Sequence, residues 1–393
     1  MTRSGPVAPF PITAFSALNA LGTESQGITD ALRAGRTALG PPPFELPFPT
    51  ACGALPQALP ALPANLRAFD TRLARMALLA LEPAGAAVAA AVRRWGRDRV
   101  ALVVGTSTGG ILETERAHDH FRRSGALPAS FDFERHHMMH ALLEVLRTAT
   151  GICGPAHVVS TACSSSGKVF GTAQRYLRAG IADAVLVGGA DTLCETTLRG
   201  FGSLQALSPA PCRPFSATRD GISIGEGAAF ALVEREGDGP VRLLGVGESS
   251  DAHHMSHPHP EGIGARLAME EALAQAGLSG AAVDHVNAHG TGTPANDVAE
   301  AKAISAVAGD AVPVASTKGY TGHLLGAAGV TEAVLGALCI VHGLVPGSLG
   351  AAPVDPLVTA SICLAARAQR VRTVLSNSFA FGGSNVSVLL GAA

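Results

Sequence analysis

Short apolar runs recur along this chain and alternate with longer stretches whose apolar residues return every three or four positions. The runs at 100–104, 157–160, 184–187, 229–233, 241–246, 283–287, 312–315, 371–375 and 386–390 read as strands buried on both faces. The periodic stretches at 73–94, 166–179, 264–276, 297–307 and 326–341 read as helices. Such alternation predicts an α/β fold of layered sheets. A Gly/Asp stretch from Glu236 to Pro240 divides the chain into 1–240 and 241–393, and no sequence repeat relates the two parts. The proline-rich span 41–63 reads as a surface excursion.

Composition narrows the function. The chain has 393 residues, 47% hydrophobic and 15% charged, with a net charge of −2. A chain this apolar buries a large core, and a neutral one lacks the electrostatic footprint of a nucleic-acid binder. The seven cysteines are scattered without a CxxC pair. Neither a disulfide framework nor a metal site is expected, and a reducing, cytoplasmic setting fits. Pro6, Pro9 and Pro11 interrupt the N-terminal apolar stretch, which argues against a signal peptide. The longest apolar stretch, 333–345, contains His342 and is too short to span a membrane, so it reads as a buried helix. Glycine makes up 46 of the 393 residues and clusters in a few turns, where backbones approach each other or a ligand.

Four of these turns carry reactive side chains. In 158–167, a strand ends in small residues and a helix follows, which lifts Cys163 to a helix N-terminus. There the dipole favours a thiolate and turn N–H groups can hold an oxyanion. A small buried cysteine in a packed turn would leave the same pattern. In 286–297, a strand end presents His289 beside Thr291 and Thr293, although a satisfied turn histidine fits equally well. In 316–329, Lys318 and His323 precede an apolar helix containing Glu332, the natural partner for a lysine in such surroundings. A surface lysine and a capping histidine are the plain alternative. In 376–385, Phe379 and Phe381 flank a glycine loop, either as a lid or as core aromatics. Taken together, one thiol, two histidines and one lysine at strand ends describe a site at the edge of a sheet. A Cys–His pair suits acyl transfer through a thioester, and a second histidine suits enolate stabilisation.

The motifs TACSSS (161–166), RDGISIGEGA (219–228), NAHGTGTPAND (287–297), STKGYTGHLLGAAG (316–329) and SNSFAFGGSN (376–385) resemble those of the elongating β-ketoacyl-acyl-carrier-protein synthases of the thiolase superfamily. GTSTGG (105–110) and DAHHM (251–255) fit as well, so the resemblance runs nearly the whole chain in order. It implies a thiolase fold, five α-β-α-β-α layers built from two similar halves, with the nucleophile in 1–240 and His289, Lys318 and His323 in 241–393. It implies decarboxylative condensation of an acyl-S-enzyme with malonyl-carrier, in fatty-acid or specialised polyene or polyketide-like biosynthesis. Cys163, His289, His323 and Lys318 take the family's catalytic places, with Glu332 in support and the N–H groups of Cys163 and Phe381 as the oxyanion hole. Thr291, Thr293, Phe379 and Phe381 match pantetheine and gating positions. Thr108, Phe133 and Met138 match the acyl pocket and the dimer wall.

The partner so implied is an acyl carrier protein bringing its own phosphopantetheine. No separate cofactor, metal, nucleic acid or membrane is expected. Arg67, Arg72, Arg75, Arg122 and Arg123 are the candidate carrier contacts. The protein is expected to form a homodimer, with a heterodimer with a related subunit as the alternative. Acyl-CoA-condensing relatives carry asparagine where this chain has His323, and non-catalytic partner subunits lack the cysteine. Thr108, the Gly319-Tyr320 pair, the histidines of 131–140 and Gln205 depart from the usual pattern and bear on substrate rather than reaction. An acyl hydrolase explains Cys163 and His289 but leaves His323 and Lys318 without a role. A non-catalytic dimer partner leaves Cys163 without one.

Overall fold

Ten strands form one continuous sheet in the computed structural model, which describes residues 7–393. In chain order they are β1 (Phe10–Leu18), β2 (Val100–Gly105), β3 (Ala156–Val159), β4 (Ala184–Asp191), β5 (Gly227–Glu234), β6 (Val241–Ser250), β7 (His285–Asn287), β8 (Val314–Ala315), β9 (Thr373–Phe379) and β10 (Ser384–Ala392). Across the sheet the order is β8-β7-β9-β10-β6-β1-β5-β4-β2-β3. From the central β6/β1 pair outward, each side adds its fifth, fourth, second and third strand in turn. The pairings match as well: two antiparallel, then two parallel, on each side of an antiparallel seam. The two halves thus share one topology, which no sequence repeat announces.

Most of the strands are buried on both faces, the edge strand β3 being half-buried, and their alternating side chains feed three cores. Val103, Val185 and Val187 point inward to a central core, whereas Leu102, Val104 and Leu186 point outward to a second. Helices Arg72–Leu81, Gly85–Trp95 and Ala141–Thr150 cover that second core. In the other half, Val374 and Val388 face the centre, and Leu375 and Leu389 face a third core under helices Ile263–Ala276 and Pro294–Ala308. Helices Ser165–Arg178 and Ala328–His342 fill the middle and supply Val169, Ala173, Val330 and Leu335 to the central core. The layers are therefore α-β-α-β-α.

All nine predicted strands exist. Within the ten-stranded sheet the one missed is β1, whose Pro9 and Pro11 masked its pattern, although Pro11 sits near the strand's start and pairs with Arg242. The stretch 73–94 forms two helices joined by a short turn at Glu82–Ala84, because Pro83 cannot continue the first. Arg72–Trp95 and Leu325–His342 are long and apolar enough to span a membrane by composition. The second is the buried helix of the middle layer, and the first lies along the sheet.

Glycines set the spacing at the centre. A Cβ on Gly105 would lie 2.4 Å from the Ser166 nitrogen, and one on Gly329 would lie 2.4 Å from the Gly167 nitrogen. The ends of β2 and the two middle helices thus meet backbone to backbone. Gly329→Ala gains about 1 kcal/mol in helix propensity but forces rigid backbones apart. We expect a net loss of about 1–2 kcal/mol, read as a lower urea midpoint. Gly85→Ala, at a helical position with nothing within 4 Å, serves as the control and should hold or gain stability.

Candidate active site

Four loops at the strand ends, the last of them the turn between β9 and β10, converge on one cavity of about 390 Å³, lined by Cys163, His289, His323, Thr291, Thr293, Phe379 and Phe381 among others. The first follows β3. Its turn places Ala162 at φ 51°, a left-handed conformation unusual for a residue with a side chain. Cys163 follows, buried, just ahead of the helix that starts at Ser165. The turn is tied by Ser165 Oγ, which donates to the Ala162 carbonyl at 2.6 Å, and by the Thr161 N–H, which donates to Ser165 Oγ at 2.9 Å.

The second loop follows β7 and holds His289. The buried Glu300 carboxylate accepts from the N–H groups of His289 and Gly290, each at 2.7 Å. Asp297 clamps the next turn by accepting from Gly292 N at 3.2 Å and Phe215 N at 2.7 Å. The hydroxyls of Thr291 and Thr293 lie 2.9 Å apart on the cavity wall. The third loop follows β8. Lys318 is buried, ion-paired with Glu332, and its Nζ sits 3.3 Å from His289 Nδ1. His323 is fixed through its backbone, donating to Ser223 O at 2.7 Å and accepting from Gly225 N at 2.9 Å.

The ring arrangement dictates what each histidine offers. An ammonium only donates, so His289 Nδ1 accepts from Lys318 and the ring proton sits on Nε2. Both ring nitrogens of His323 are buried without a hydrogen-bond partner among the described residues, although the ring lines the cavity. Buried polar atoms are seldom left unpaired, so this imidazole is built to meet a molecule in the cavity. The rings stand at 87° with centroids 5.3 Å apart. Cys163, His289 and His323 each bring a donor atom within 4.8 Å of the others.

Burial, and not the helix dipole, governs the titration here. It pushes the Cys163 thiol up to about 11, against the opposing pull of the Phe381 N–H, the Lys318 charge and the residue's own N–H. The sequence-based expectation of a favoured thiolate is therefore corrected: desolvation outweighs the helix N-terminus. Burial also drives both imidazoles well below their ordinary value, helped by the Lys318 charge. Glu332 is raised by burial and held down by Lys318. At neutral pH the site holds a protonated thiol and two neutral imidazoles beside the Lys318–Glu332 contact.

Other predicted residues lie elsewhere. Thr108 and Met138 line a separate recess with His137, His140 and His157, and Phe133 lines neither cavity. Thr108 is turned away because its Oγ1 donates to Asp191 at 2.6 Å. Phe133 and Met138 are exposed in the single chain. Arg72 and Arg75 are engaged by Glu226 and Asp70, which removes them as free carrier contacts. Arg67, Arg122 and Arg123 are exposed. Sequence reasoning missed Asp191, Glu300, and Phe201 and Leu204 at the cavity mouth. Asp191 accepts from Thr106, Ser107 and Thr108, holding the turn after β2. Its signal was a carboxylate closing a fully apolar strand.

Comparison with known proteins gives the same reading. The Beta-ketoacyl synthase N-terminal domain matches residues 9–239, and the C-terminal domain matches residues 241–352. The chain is 34% identical to 3-oxoacyl-[acyl-carrier-protein] synthase 2 of Vibrio cholerae over 311 residues, covering 74% of this chain and 75% of that protein. It is 33% identical to Nodulation protein E of Rhizobium meliloti, covering 95% of this chain and 96% of the other. A solved ketosynthase, ApeO of Xenorhabdus doucetiae in complex with its chain length factor ApeC, superposes with a TM-score of 0.92 at 38% identity, with 98% of both chains covered. The chain belongs to the β-ketoacyl synthase family, has the thiolase fold, and is an acyltransferase that lengthens acyl chains by decarboxylative condensation.

Proposed function

We propose that Cys163 carries the acyl group and that His289 and His323 together hold the malonyl thioester carbonyl. The convergence of these three groups on one cavity carries the reading. In the first step the Cys163 thiol attacks an acyl thioester on phosphopantetheine. The thiol proton passes through a neutral imidazole to the departing carrier thiol. The N–H groups of Cys163 and Phe381, both bonded toward the sulfur, hold the oxyanion. Malonyl-carrier then enters, and the two imidazole N–H groups donate to its thioester oxygen. The C–CO₂⁻ bond breaks, CO₂ leaves, and its electron pair becomes the enolate. The enolate carbon attacks the acyl carbonyl and expels Cys163 sulfur, which regains a proton. The product is β-ketoacyl-carrier two carbons longer. Lys318 keeps His289 in the donating tautomer, and Glu332 balances its charge. Thr291 and Thr293 bind the pantetheine arm beside Phe379 and Phe381.

The partner in this reading is an acyl carrier protein that supplies phosphopantetheine, with exposed Arg67, Arg122 and Arg123 as its contacts. The protein is cytoplasmic and divides near residue 240 into two halves. It pairs with a second copy or with a related subunit, as the Xenorhabdus ketosynthase pairs with its chain length factor. Exposed Phe133 and Met138 form that dimer wall, Met138 sharing a recess with His157 and Val158 of the edge strand β3. Thr108 and the recess it lines then belong to the acyl pocket.

Cys163→Ala should abolish acyl-enzyme formation and condensation, measured by intact-mass spectrometry and product assay, while malonyl decarboxylation persists. His289→Ala and His323→Ala should impair decarboxylation far more than self-acylation. Retained elongation by the cysteine variant would remove it as nucleophile.

Because the thiol is raised to about 11, the thiolate fraction grows about tenfold per pH unit below that value. Inactivation of the unliganded protein by iodoacetamide should therefore climb steadily from pH 7 to 9.5. A plateau already reached at pH 8 would contradict a thiol held protonated by burial.

Lys318→Met leaves the Glu332 charge buried and unpaired, at a cost of about 3–5 kcal/mol. Adding Glu332→Leu should restore most of the stability but not the condensation rate. A double variant as unstable as Lys318→Met alone would show that the ion pair is not the source of the loss.

A further inference from the structure

The loop 251–259, DAHHMSHPH, carries four histidines that the condensation does not use. It forms part of the cavity mouth, where Ser256 and His257 stand near Gly382. Two backbone bonds strap it to the aromatic turn: Gly382 N donates to Met255 O and Asp251 N donates to Gly383 O, both at 2.8 Å. Asn385 Nδ2 adds a third tie to Asp251 Oδ1 at 2.8 Å. Whatever stiffens this loop therefore stiffens the turn carrying Phe381.

Two of the four histidines face each other on this strap. His254 and His257 are exposed, their ring centroids are 4.9 Å apart, and their Nδ1 atoms are 3.2 Å apart. Ser256 Oγ lies 3.4 Å from the first nitrogen and 3.1 Å from the second. The Ser256 N–H donates to His254 Nδ1 at 3.1 Å, so that nitrogen presents a lone pair and not a proton. Two zinc–nitrogen bonds of about 2.0–2.1 Å at a tetrahedral angle hold their nitrogens about 3.3 Å apart. The observed spacing matches that bite, and the serine hydroxyl offers an oxygen beside it. The other pair, His253 and His259, has its ring centroids 5.0 Å apart and tilted at 57°, without the Nδ1–Nδ1 approach of His254 and His257.

We propose that His254 and His257, with Ser256 Oγ beside them, bind a divalent transition metal ion of the zinc type at the cavity mouth. Imidazole nitrogens are the ligands such an ion prefers, and water completes an open surface site. The ion displaces the Ser256 N–H from His254 Nδ1, and that solvent-exposed N–H turns to water. Met255, whose carbonyl holds Gly382, lies between the two ligands. Metal binding thus fixes the strap, holds the Phe381 turn closed over Cys163, and slows entry of the acyl thioester.

The test is zinc titration of the full chain by calorimetry, with a Cys163→Ser background to remove the thiol of the catalytic trio as a competing ligand. One zinc per chain is expected in both forms. His254→Ala/His257→Ala should weaken that binding by at least the roughly 10–100-fold seen when even an outer-shell partner of a metal site is lost. Its unchanged thermal midpoint would show that the fold is intact. His253→Ala/His259→Ala should bind as the parent does. Binding that survives the His254/His257 change, or that vanishes with the His253/His259 change, overturns the assignment. Zinc should also slow Cys163 acylation by an acyl-pantetheine in the parent and not in the His254/His257 variant. Equal slowing in both would place the inhibitory metal in the catalytic trio and overturn the gating.

Discussion

The two middle helices touch backbone to backbone at Gly167 and Gly329, and the site exists because of that contact. Gly167 lies four residues after Cys163, and Gly329 lies three before Glu332. A side chain at Gly329 would push the Cys163 turn away from the Lys318–Glu332 pair by the width of a methyl group or more, and one at Gly167 would drive its helix off Val386 of β10. Gly105 and Gly189 extend the same constraint, since both strands approach Ser166 too closely for a Cβ. A close-packed interior does not absorb such displacements. The position of the sulfur relative to the imidazoles is thus set by missing side chains on elements that never touch substrate.

Burial then fixes the charge state. Desolvation raises the thiol and the two nearby carboxylates, Glu300 and Glu332, and lowers the imidazoles. Among the described residues Lys318 is the cation that reaches the centre, and Glu332 answers it. A buried, nearly neutral site suits a reaction whose charge appears in transit, first on the oxyanion and then on the enolate. Donors aimed at those positions act most strongly where water does not compete.

Much of this was legible in the sequence, and the gaps have physical causes. Strands buried on both faces write continuous apolar runs, so nine of ten were readable. The tenth was not, because prolines near its start break the pattern. Glycine turns announced where the reactive side chains sit. What periodicity cannot convey is which atom a buried carboxylate serves, so Asp191 and Glu300 passed unnoticed despite holding two of the turns. Nor can it weigh opposing effects on one group: the helix N-terminus over Cys163 was visible, but the burial that outweighs it was not. Arg72 looked like a surface cation, yet its partner Glu226 lies 154 residues away in the chain.

The shared topology explains how the chemistry divides between the halves. The turn after the second strand of each half is clamped by a carboxylate: Asp191 holds 106–108 after β2, and Glu300 holds His289 and Gly290 after β7. The turn after the third strand of each half leads into a middle helix: Cys163 follows β3, and Lys318 and His323 follow β8. Equivalent places therefore carry different chemistry. In the proposed mechanism the first half offers the thiol that holds the chain, and the second offers the donors that hold the incoming carbonyl. Covalent attachment and carbanion formation need opposite things from one buried pocket, an attacking sulfur and a stabilised oxygen. Two copies of one scaffold, facing each other across the middle helices, let each side change its turns without disturbing the other.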